Sequence, residues 1–392
     1  MRIAIDGCCW SNRRGFGRYT REMVTHLVGL GSRHEFVLVV DEQTARTGAF
    51  PAKAQLRIVR TSEQPSEAAS ADGARRPMDL WRLGRAMAGV CPDVMFFPAV
   101  YSYYPVLSRV PAVVAFHDAI AEKHPQLIFP TRRARMFWSI KTHLALRQAS
   151  RVLTVSNSAR RQIVEEFRCP ASRIDVITEG YGCEFRVLDD PTAGADVRLR
   201  FGLPTEAPLI LYVGGISPHK NLLGLVAALD VVRQEEVGDW YMVFAGDYQH
   251  DSFFSCYQEL LALCRERGLE ERVRFTGYLE NQDLVALYNT ATLLVLPSFA
   301  EGFGLPVLEA MACGLPVAAS DRGSLPEVMG SAGLLFDPTD TRAMASAVRR
   351  LLEDAALREQ MRSAGLERAR CFSWERAAEQ LLALLERVAG AA

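Results

Sequence analysis

A chain of 392 residues is longer than one ordinary hydrophobic core, so at least two domains are expected. Its 49% hydrophobic and 23% charged content fit a water-soluble globular protein; no apolar run is long enough to span a membrane, and no signal peptide is expected, since the opening run Met1-Arg2-Ile3-Ala4-Ile5-Asp6 is too short. Nine cysteines without paired C-x2-C spacing point to reduced, buried thiols of a cytoplasmic protein and not to a disulfide framework or a zinc site. The net charge of −1 hides an asymmetry: residues 1–185 carry 26 Lys and Arg against 17 Asp and Glu. A basic first half fits an anionic partner or an acidic second half equally well; nothing in the pattern indicates nucleic acid.

Short apolar runs predict strands at 3–6, 36–40, 56–59, 94–97, 112–116, 152–155 and 174–177. They lack polar alternation, as strands of a parallel sheet covered on both faces do. Arg14-Gly15-Phe16-Gly17-Arg18-Tyr19-Thr20 follows the first run and leads into a helix over 19–27, where glycines let backbone approach a phosphate. A dinucleotide-binding dehydrogenase is the rival reading, with Asp41 placed to hold a ribose, but Thr20 stands where the third glycine of G-x-G-x-x-G belongs. Residues 61–77, rich in Ser, Ala and Glu, read as a loop. His117-Asp118 ends the fifth run, at the edge where open sheets bind ligands; a structural histidine beside Asp118 is the plainer alternative. Residues 129–151 hold six Lys or Arg, no acid, and interleaved apolar residues including Met136, Phe137, Trp138 and Ile140. Two readings stay open: an ordinary packed helix with a solvated basic face, or a helix that touches an anionic membrane. Ser158 or Asn157 is placed to cap the next helix.

A boundary falls at about 180–208, where Gly182, Pro191, Gly194 and Pro204 interrupt regular structure. The second half repeats the first, with runs at 209–213, 241–245, 273–275, 292–296, 316–319 and 334–336 and helices at 222–232 and 282–289. The expected fold class is α/β: two doubly wound, Rossmann-like parallel-sheet domains, 1–185 and 186–371, facing a cleft, followed by a helical segment 372–392 with Ser373 as its N-cap. Lys220 follows the turn Gly214-Gly215, a placement suited to a diphosphate. Then Ser298-Phe299-Ala300-Glu301-Gly302-Phe303-Gly304-Leu305-Pro306-Val307-Leu308-Glu309 reads as a strand end, a glycine turn and a helix whose free N–H groups suit an anion. Carboxylates repel phosphate, so Glu301 and Glu309 fit hydroxyl groups, and the pair of features fits a sugar nucleotide; two solvated glutamates are the plainer alternative.

Glu301 and Glu309, eight positions apart around Gly302-Phe303-Gly304-Leu305-Pro306, resemble the E-x7-E motif of retaining glycosyltransferases of family 4, which have the GT-B fold. The likeness continues through Cys313-Gly314-Leu315-Pro316-Val317, Leu325-Pro326-Glu327-Val328 and Gly333-Leu334-Leu335-Phe336-Asp337-Pro338, and it covers nearly the whole chain. The resemblance implies these roles. Glu309 accepts from ribose hydroxyls. Glu301 and the backbone of Phe303, Gly304 and Leu305 hold sugar hydroxyls and phosphate. Lys220, Gly214 and the loop of Gly15 and Gly17 stabilise the departing diphosphate. His117 hydrogen-bonds the transferred sugar. Backbone near Tyr278 meets the nucleobase, and the last helix crosses back to the first domain. The family's usual phosphate-binding arginine is replaced by Gly215, with His219 nearby. The implied reaction is retaining transfer of a hexose, by best guess mannose from GDP-mannose, to a glycan or lipid-linked acceptor in polysaccharide biosynthesis. UDP-linked glucose or galactose is the alternative. No D-x-D is present, so no metal and no cofactor beyond the GDP- or UDP-linked co-substrate is expected. Peripheral contact with the inner face of a membrane is among the implied properties. A sugar-nucleotide epimerase, a phosphorylase and a non-catalytic sugar-nucleotide-binding protein are the rivals.

Overall fold

The structure is a computed structural model that describes residues 1–31, 33–62, 76–190, 194–248 and 255–390. Two units form, one from Met1–Gly180 with Ser373–Ala392 and the other from Tyr181–Phe372. The sequence division at 185/186 and 371/372 thus lies within a few residues of the observed one.

Among the described residues, the first unit holds seven parallel strands: β1 (Arg2–Asp6), β2 (Glu35–Asp41), β3 (Ala54–Val59), β4 (Val94–Phe97), β5 (Ala112–Ala115), β6 (Arg151–Thr154) and β7 (Ile174–Val176). Their order is β3-β2-β1-β4-β5-β6-β7. The second unit holds six, also parallel: β8 (Leu209–Val213), β9 (Tyr241–Ala245), β10 (Val273–Gly277), β11 (Leu293–Leu296), β12 (Val317–Ser320) and β13 (Leu334–Phe336), in the order β10-β9-β8-β11-β12-β13. Each order reverses beside its first strand. Ligands of doubly wound sheets bind outside the carboxyl ends of the strands at such a reversal, which directs attention to the loops after β1 and β4 in one unit and after β8 and β11 in the other.

Most strands are apolar because helices cover both faces, while the edge strand β3 exposes Gln55, Leu56, Arg57 and Ile58. All residues of β4, β5, β11 and β12 are buried. The helix Trp374–Gly390 belongs to the first unit, where Ala377, Ala378, Leu381, Leu384, Leu385 and Val388 repeat at three- and four-residue steps and are buried against the helix Gly15–Gly29 and its surroundings. Ser373 accepts the backbone N–H of Arg376 at 3.3 Å, acting as the cap. Trp374 packs edge-on to Tyr19 at 5.7 Å. Gly180 is glycine for a steric reason: a Cβ there would run into the backbone of Trp374.

Several local expectations are corrected. The helix after β1 starts at Gly15, so Gly15 and Gly17 form its first turn and not a loop before it. Asp41 accepts the backbone N–H groups of Gln43 and Thr44 at 3.1 and 3.0 Å; it caps the helix Glu42–Thr47, which leaves the dehydrogenase reading without its ribose acid. Ser156, not Ser158 or Asn157, caps the helix Asn157–Phe167. Cys91, Cys183 and Cys371 are exposed, while the other six cysteines are buried. Most of the loop read at 61–77 lies outside the described residues, and Pro77 opens the helix Pro77–Gly89. Among the described residues, no helix is long and apolar enough to cross a membrane.

Candidate active site

In the second unit β11 ends at Leu296, and the chain turns through Pro297–Gly304 into the helix Leu305–Ala312. Gly304 makes this turn at φ +100°, a region that side chains disfavour, and a Cβ there would lie 2.7 Å from the Leu325 side chain. The opening N–H groups of the helix carry no side-chain cap. That terminus, at Phe303, Gly304 and Leu305, has the dipole and the donors that suit an anion.

Glu301 sits at the mouth of the turn and is 8% exposed. Its Oε1 receives the Lys220 ammonium at 2.7 Å and the Ser298 hydroxyl at 2.6 Å. Its backbone carbonyl and that of Phe303 accept from Ser324 at 3.1 and 2.7 Å, and Ser320 donates to the Ser298 carbonyl at 2.6 Å. The turn is therefore pinned by hydroxyls from the β12 end. Lys220 reaches Glu301 from the short 3-10 turn Pro218–Lys220 after β8. The next residue, Asn221, adopts the left-handed region at φ +57°, which asparagine tolerates, and its amide donates to the carbonyls of Pro297 and Pro338. This clamps the Lys220 turn to the β11 and β13 ends.

Glu309 lies further along the helix, 1% exposed, and its Oε2 accepts from the Tyr288 hydroxyl at 3.1 Å. One carboxylate thus stands in the turn before the helix, and the other lies about one turn along its side. Nearby, burial and the Glu309 charge push the Cys313 thiol up to about 12, so it stays an unreactive thiol. Gly214 donates to the Ala245 carbonyl at 2.9 Å and Gly246 to the Gly277 carbonyl at 3.1 Å, which extends the sheet to the residue before Tyr278. At Gly215, where the family's arginine is missing, the backbone carbonyl accepts from the Tyr212 hydroxyl at 2.7 Å.

In the first unit, His117 follows β5 and is 8% exposed. Its Nε2 lies 2.9 Å from the Pro98 carbonyl, which can only accept, so Nε2 carries the proton. Its Nδ1 is 3.6 Å from the Glu179 carboxylate, too long for a hydrogen bond. Tyr19 packs edge-on to the ring at 4.5 Å, which sets His117 beside the helix that Gly15 and Gly17 open. Gly17 has a packing reason as well, since a Cβ would run into the Asn12 carbonyl, whereas the space around Gly15 is open. The sequence candidates divide between the units: Gly15, Gly17 and His117 fall in the first, and Gly214, Lys220, Tyr278, Glu301, Phe303, Gly304, Leu305 and Glu309 in the second, where Lys220 and Glu301 are in direct contact. Sequence reading missed Ser298, Asn221, Ser324 and Glu179. Only Asn221, directly after Lys220, carried a positional hint.

Five residues after His117, the short helix Ile120–Lys123 carries a titrating group, Glu122. Burial raises the Glu122 carboxyl to about 7, against the lowering effect of the Trp138 indole N–H, which donates to it at 2.6 Å; the charges of Asp118 and Glu166 raise it further. The folded chain holds this proton to about pH 7, while the unfolded chain releases it in the ordinary carboxylate range. Stability therefore falls as pH rises through that window and stays lower above it. Glu122→Gln, which keeps the acceptor for Trp138, is expected to melt above the parent protein at about pH 8 and to lose that advantage at about pH 4. Melting curves at the two pH values check this; an equal offset at both would place the effect in packing and not in the proton.

With this geometry in view, residues 13–185 match the family described as Glycosyltransferase Family 4 and residues 196–368 match Glycosyl transferases group 1. The O-antigen chain mannosyltransferase B of Escherichia coli is 35% identical over 273 residues, which are 69% of each chain. The serotype-specific mannosyltransferase WbdA of the same species is 31% identical over 300 residues, 74% of this chain but 36% of that one, so this chain spans only about a third of WbdA. Among solved structures, Anabaena HepE in complex with UDP-glucose superposes with a TM-score of 0.76 at 18% identity, covering 99% of this chain and 100% of that one. Two doubly wound sheets, the Glu301–Glu309 spacing and these matches together establish that the chain belongs to the family 4, group 1 glycosyltransferases of GT-B fold.

Proposed function

We propose that this glycosyltransferase moves a mannosyl group from GDP-mannose, with retention at the anomeric carbon, to a glycan or lipid-linked acceptor during polysaccharide assembly. The observation that carries the reading is the Lys220–Glu301 pair at the mouth of the helix Leu305–Ala312, where a cation, free N–H groups and a hydroxyl-accepting carboxylate converge. The mannosyl assignment rests on the relatives named mannosyltransferases. A UDP-linked hexose is the second reading, favoured by the UDP-glucose seen in HepE.

In the proposed reaction the sugar–phosphate bond breaks, the nucleoside diphosphate leaves with the electron pair, and an acceptor hydroxyl attacks from the same face. Lys220, the helix N–H groups and the backbone around Gly214 meet the charge that builds on the diphosphate. Fixed donors aimed at developing charge are usually the largest catalytic contribution. Glu301 accepts from sugar hydroxyls and Glu309 from the ribose, while backbone beside Tyr278 meets the base. No metal is required in this scheme. The proposed location is the cytoplasm, at the inner face of a membrane that carries the acceptor.

The test is a thermal-shift panel of GDP, UDP, ADP, dTDP and their sugar conjugates, with and without EDTA. GDP and GDP-mannose are expected to raise Tm, by an amount that corresponds to about 2.7 kcal/mol at 100 times Kd, and EDTA is expected to leave the shift unchanged. A shift with UDP compounds alone would select the second reading. No shift with any nucleotide would leave the donor site, and the proposal, without support.

A further inference from the structure

The helix Arg132–Gln148 is turned the opposite way from an ordinary amphipathic helix. Its buried residues are small or polar, Ala134, Thr142 and Ala145. Its large apolar residues face solvent: Met136 is 53% exposed, Phe137 50%, Ile140 51% and Leu144 42%. Steps of three and four residues put these four on one stripe, and Ala134, Thr142 and Ala145 lie on the opposite side. Leu107, 91% exposed, adds a further apolar side chain near the end of this helix. Its loop is tied to the end of this helix, because the Gln148 amide donates to the Val106 carbonyl at 2.7 Å and the Tyr103 hydroxyl donates to the Leu144 carbonyl at 3.3 Å.

The orientation is well anchored. Trp138, on the inward side, donates to Glu122, and the Lys141 ammonium lies 4.1 Å above its ring. Turning the helix over would break these contacts. Four large apolar side chains in one exposed strip, with Leu107 near the helix end, mark an interaction surface.

The charges around the strip select the occupant. Arg132, Arg133, Arg135 and Arg147 are exposed, and no acid occurs anywhere in the helix. Arg133 and Arg147 stand at the two ends of the apolar stripe itself, and the Arg133 guanidinium lies 5.5 Å from the Phe137 ring. Two copies of the chain meeting through this face would set the same arginines against one another. An apolar strip framed by arginines instead matches the boundary between acyl chains and anionic headgroups, where apolar side chains sink in and guanidinium groups stay at the phosphate level.

We propose that the face formed by Leu107, Met136, Phe137, Ile140 and Leu144, framed by Arg133 and Arg147, seats the protein on an anionic lipid bilayer. This gives a surface to the membrane location proposed above; it rests on that location but not on the identity of the donor.

The test is co-sedimentation with vesicles of phosphatidylcholine alone and of phosphatidylcholine mixed with phosphatidylglycerol. The parent protein is expected to pellet with the mixed vesicles and to be released by salt. The double variant Arg133→Ala, Arg147→Ala is expected to lower the partition constant about 30-fold, at about 1 kcal/mol for each arginine. Phe137→Ser with Ile140→Ser is expected to lower it by about as much, since two half-exposed side chains lose their insertion. Both variants should keep the parent Tm and the parent nucleotide-induced shift, because all four side chains are exposed and stand outside the donor site. Failure of the parent to pellet with the mixed vesicles would overturn the proposal, as would undiminished binding by the Phe137, Ile140 variant. A dimer in sedimentation equilibrium that this variant dissolves would overturn it in favour of a second copy. The nucleotide shift is read separately, so loss of either proposal is recognised by itself.

Discussion

Lys220→Ala is expected to lower kcat about 10²–10³-fold while leaving KM for the donor within a small factor, because the lysine meets charge that appears mainly as the sugar–phosphate bond breaks. The structure adds a second effect. Lys220 is the cation on Glu301, and its loss leaves a carboxylate that is 8% exposed with only the Ser298 hydroxyl on the shared oxygen. An uncompensated charge of this kind costs up to about 3 kcal/mol. Stability and rate must therefore be separated. The double variant Lys220→Ala, Glu301→Gln removes both charges and is expected to recover most of the lost Tm but none of the lost rate. Steady-state kinetics well below Tm, with melting curves for both variants, check this. Wild-type kcat in Lys220→Ala would show that the diphosphate charge is met elsewhere.

Glu309→Ala is expected to show the opposite kinetic pattern. A carboxylate that accepts from ribose hydroxyls does so before and during reaction alike, so its loss raises KM and the nucleotide Kd without a matching fall in kcat. Hydrogen bonds to a charged group contribute about 1.5–3 kcal/mol, which predicts Kd higher by about 10–150-fold. The Tyr288 hydroxyl loses its acceptor at the same time, so Tm should also fall. Calorimetric titration with the nucleoside diphosphate, alongside KM and kcat, reads all of this. An unchanged Kd would remove Glu309 from the donor site and leave it as the structural partner of Tyr288. Together the two variants divide the site into a group that acts on the leaving charge and a group that holds the donor.

The strands of the described residues were legible in the sequence because most are apolar runs between turn residues, broken singly at Arg57, Asp175 and Arg274, and their ends lie within two residues of the expected bounds. The turn at Glu301–Leu305 was legible for a similar reason, as Gly302 and Gly304 punctuate a strand and a helix. What was not legible depends on tertiary partners. Nothing near Ser298 or Ser324 in sequence shows that their hydroxyls pin the Glu301 turn, since one acts through a side chain three residues away and the other from the end of another strand. The ring of His117 is set by the carbonyl of Pro98, nineteen positions earlier. Asp41 at a strand end suits a ribose acid and a helix cap equally well, and only the position of Gln43 and Thr44 decides for the cap. The helix Arg132–Gln148 is the clearest case. Its apolar periodicity is plain, but periodicity does not say which side the protein lies on, and small Ala134 and Ala145 occupy the side where large residues are expected.

The first unit takes its last helix from the far end of the chain, and the exit at Gly180 adjoins the return at Trp374. This inverts the usual order of events at the ribosome, where the domain encoded first is finished first. Here the sheet β1–β7 is made early but waits for Trp374–Gly390, while everything in Tyr181–Phe372 has already emerged. Throughout that interval the groove that will receive Leu381, Leu384 and Leu385 stays uncovered on the nascent chain, so newly made protein has a defined period in which chaperones or premature association compete for the same surface.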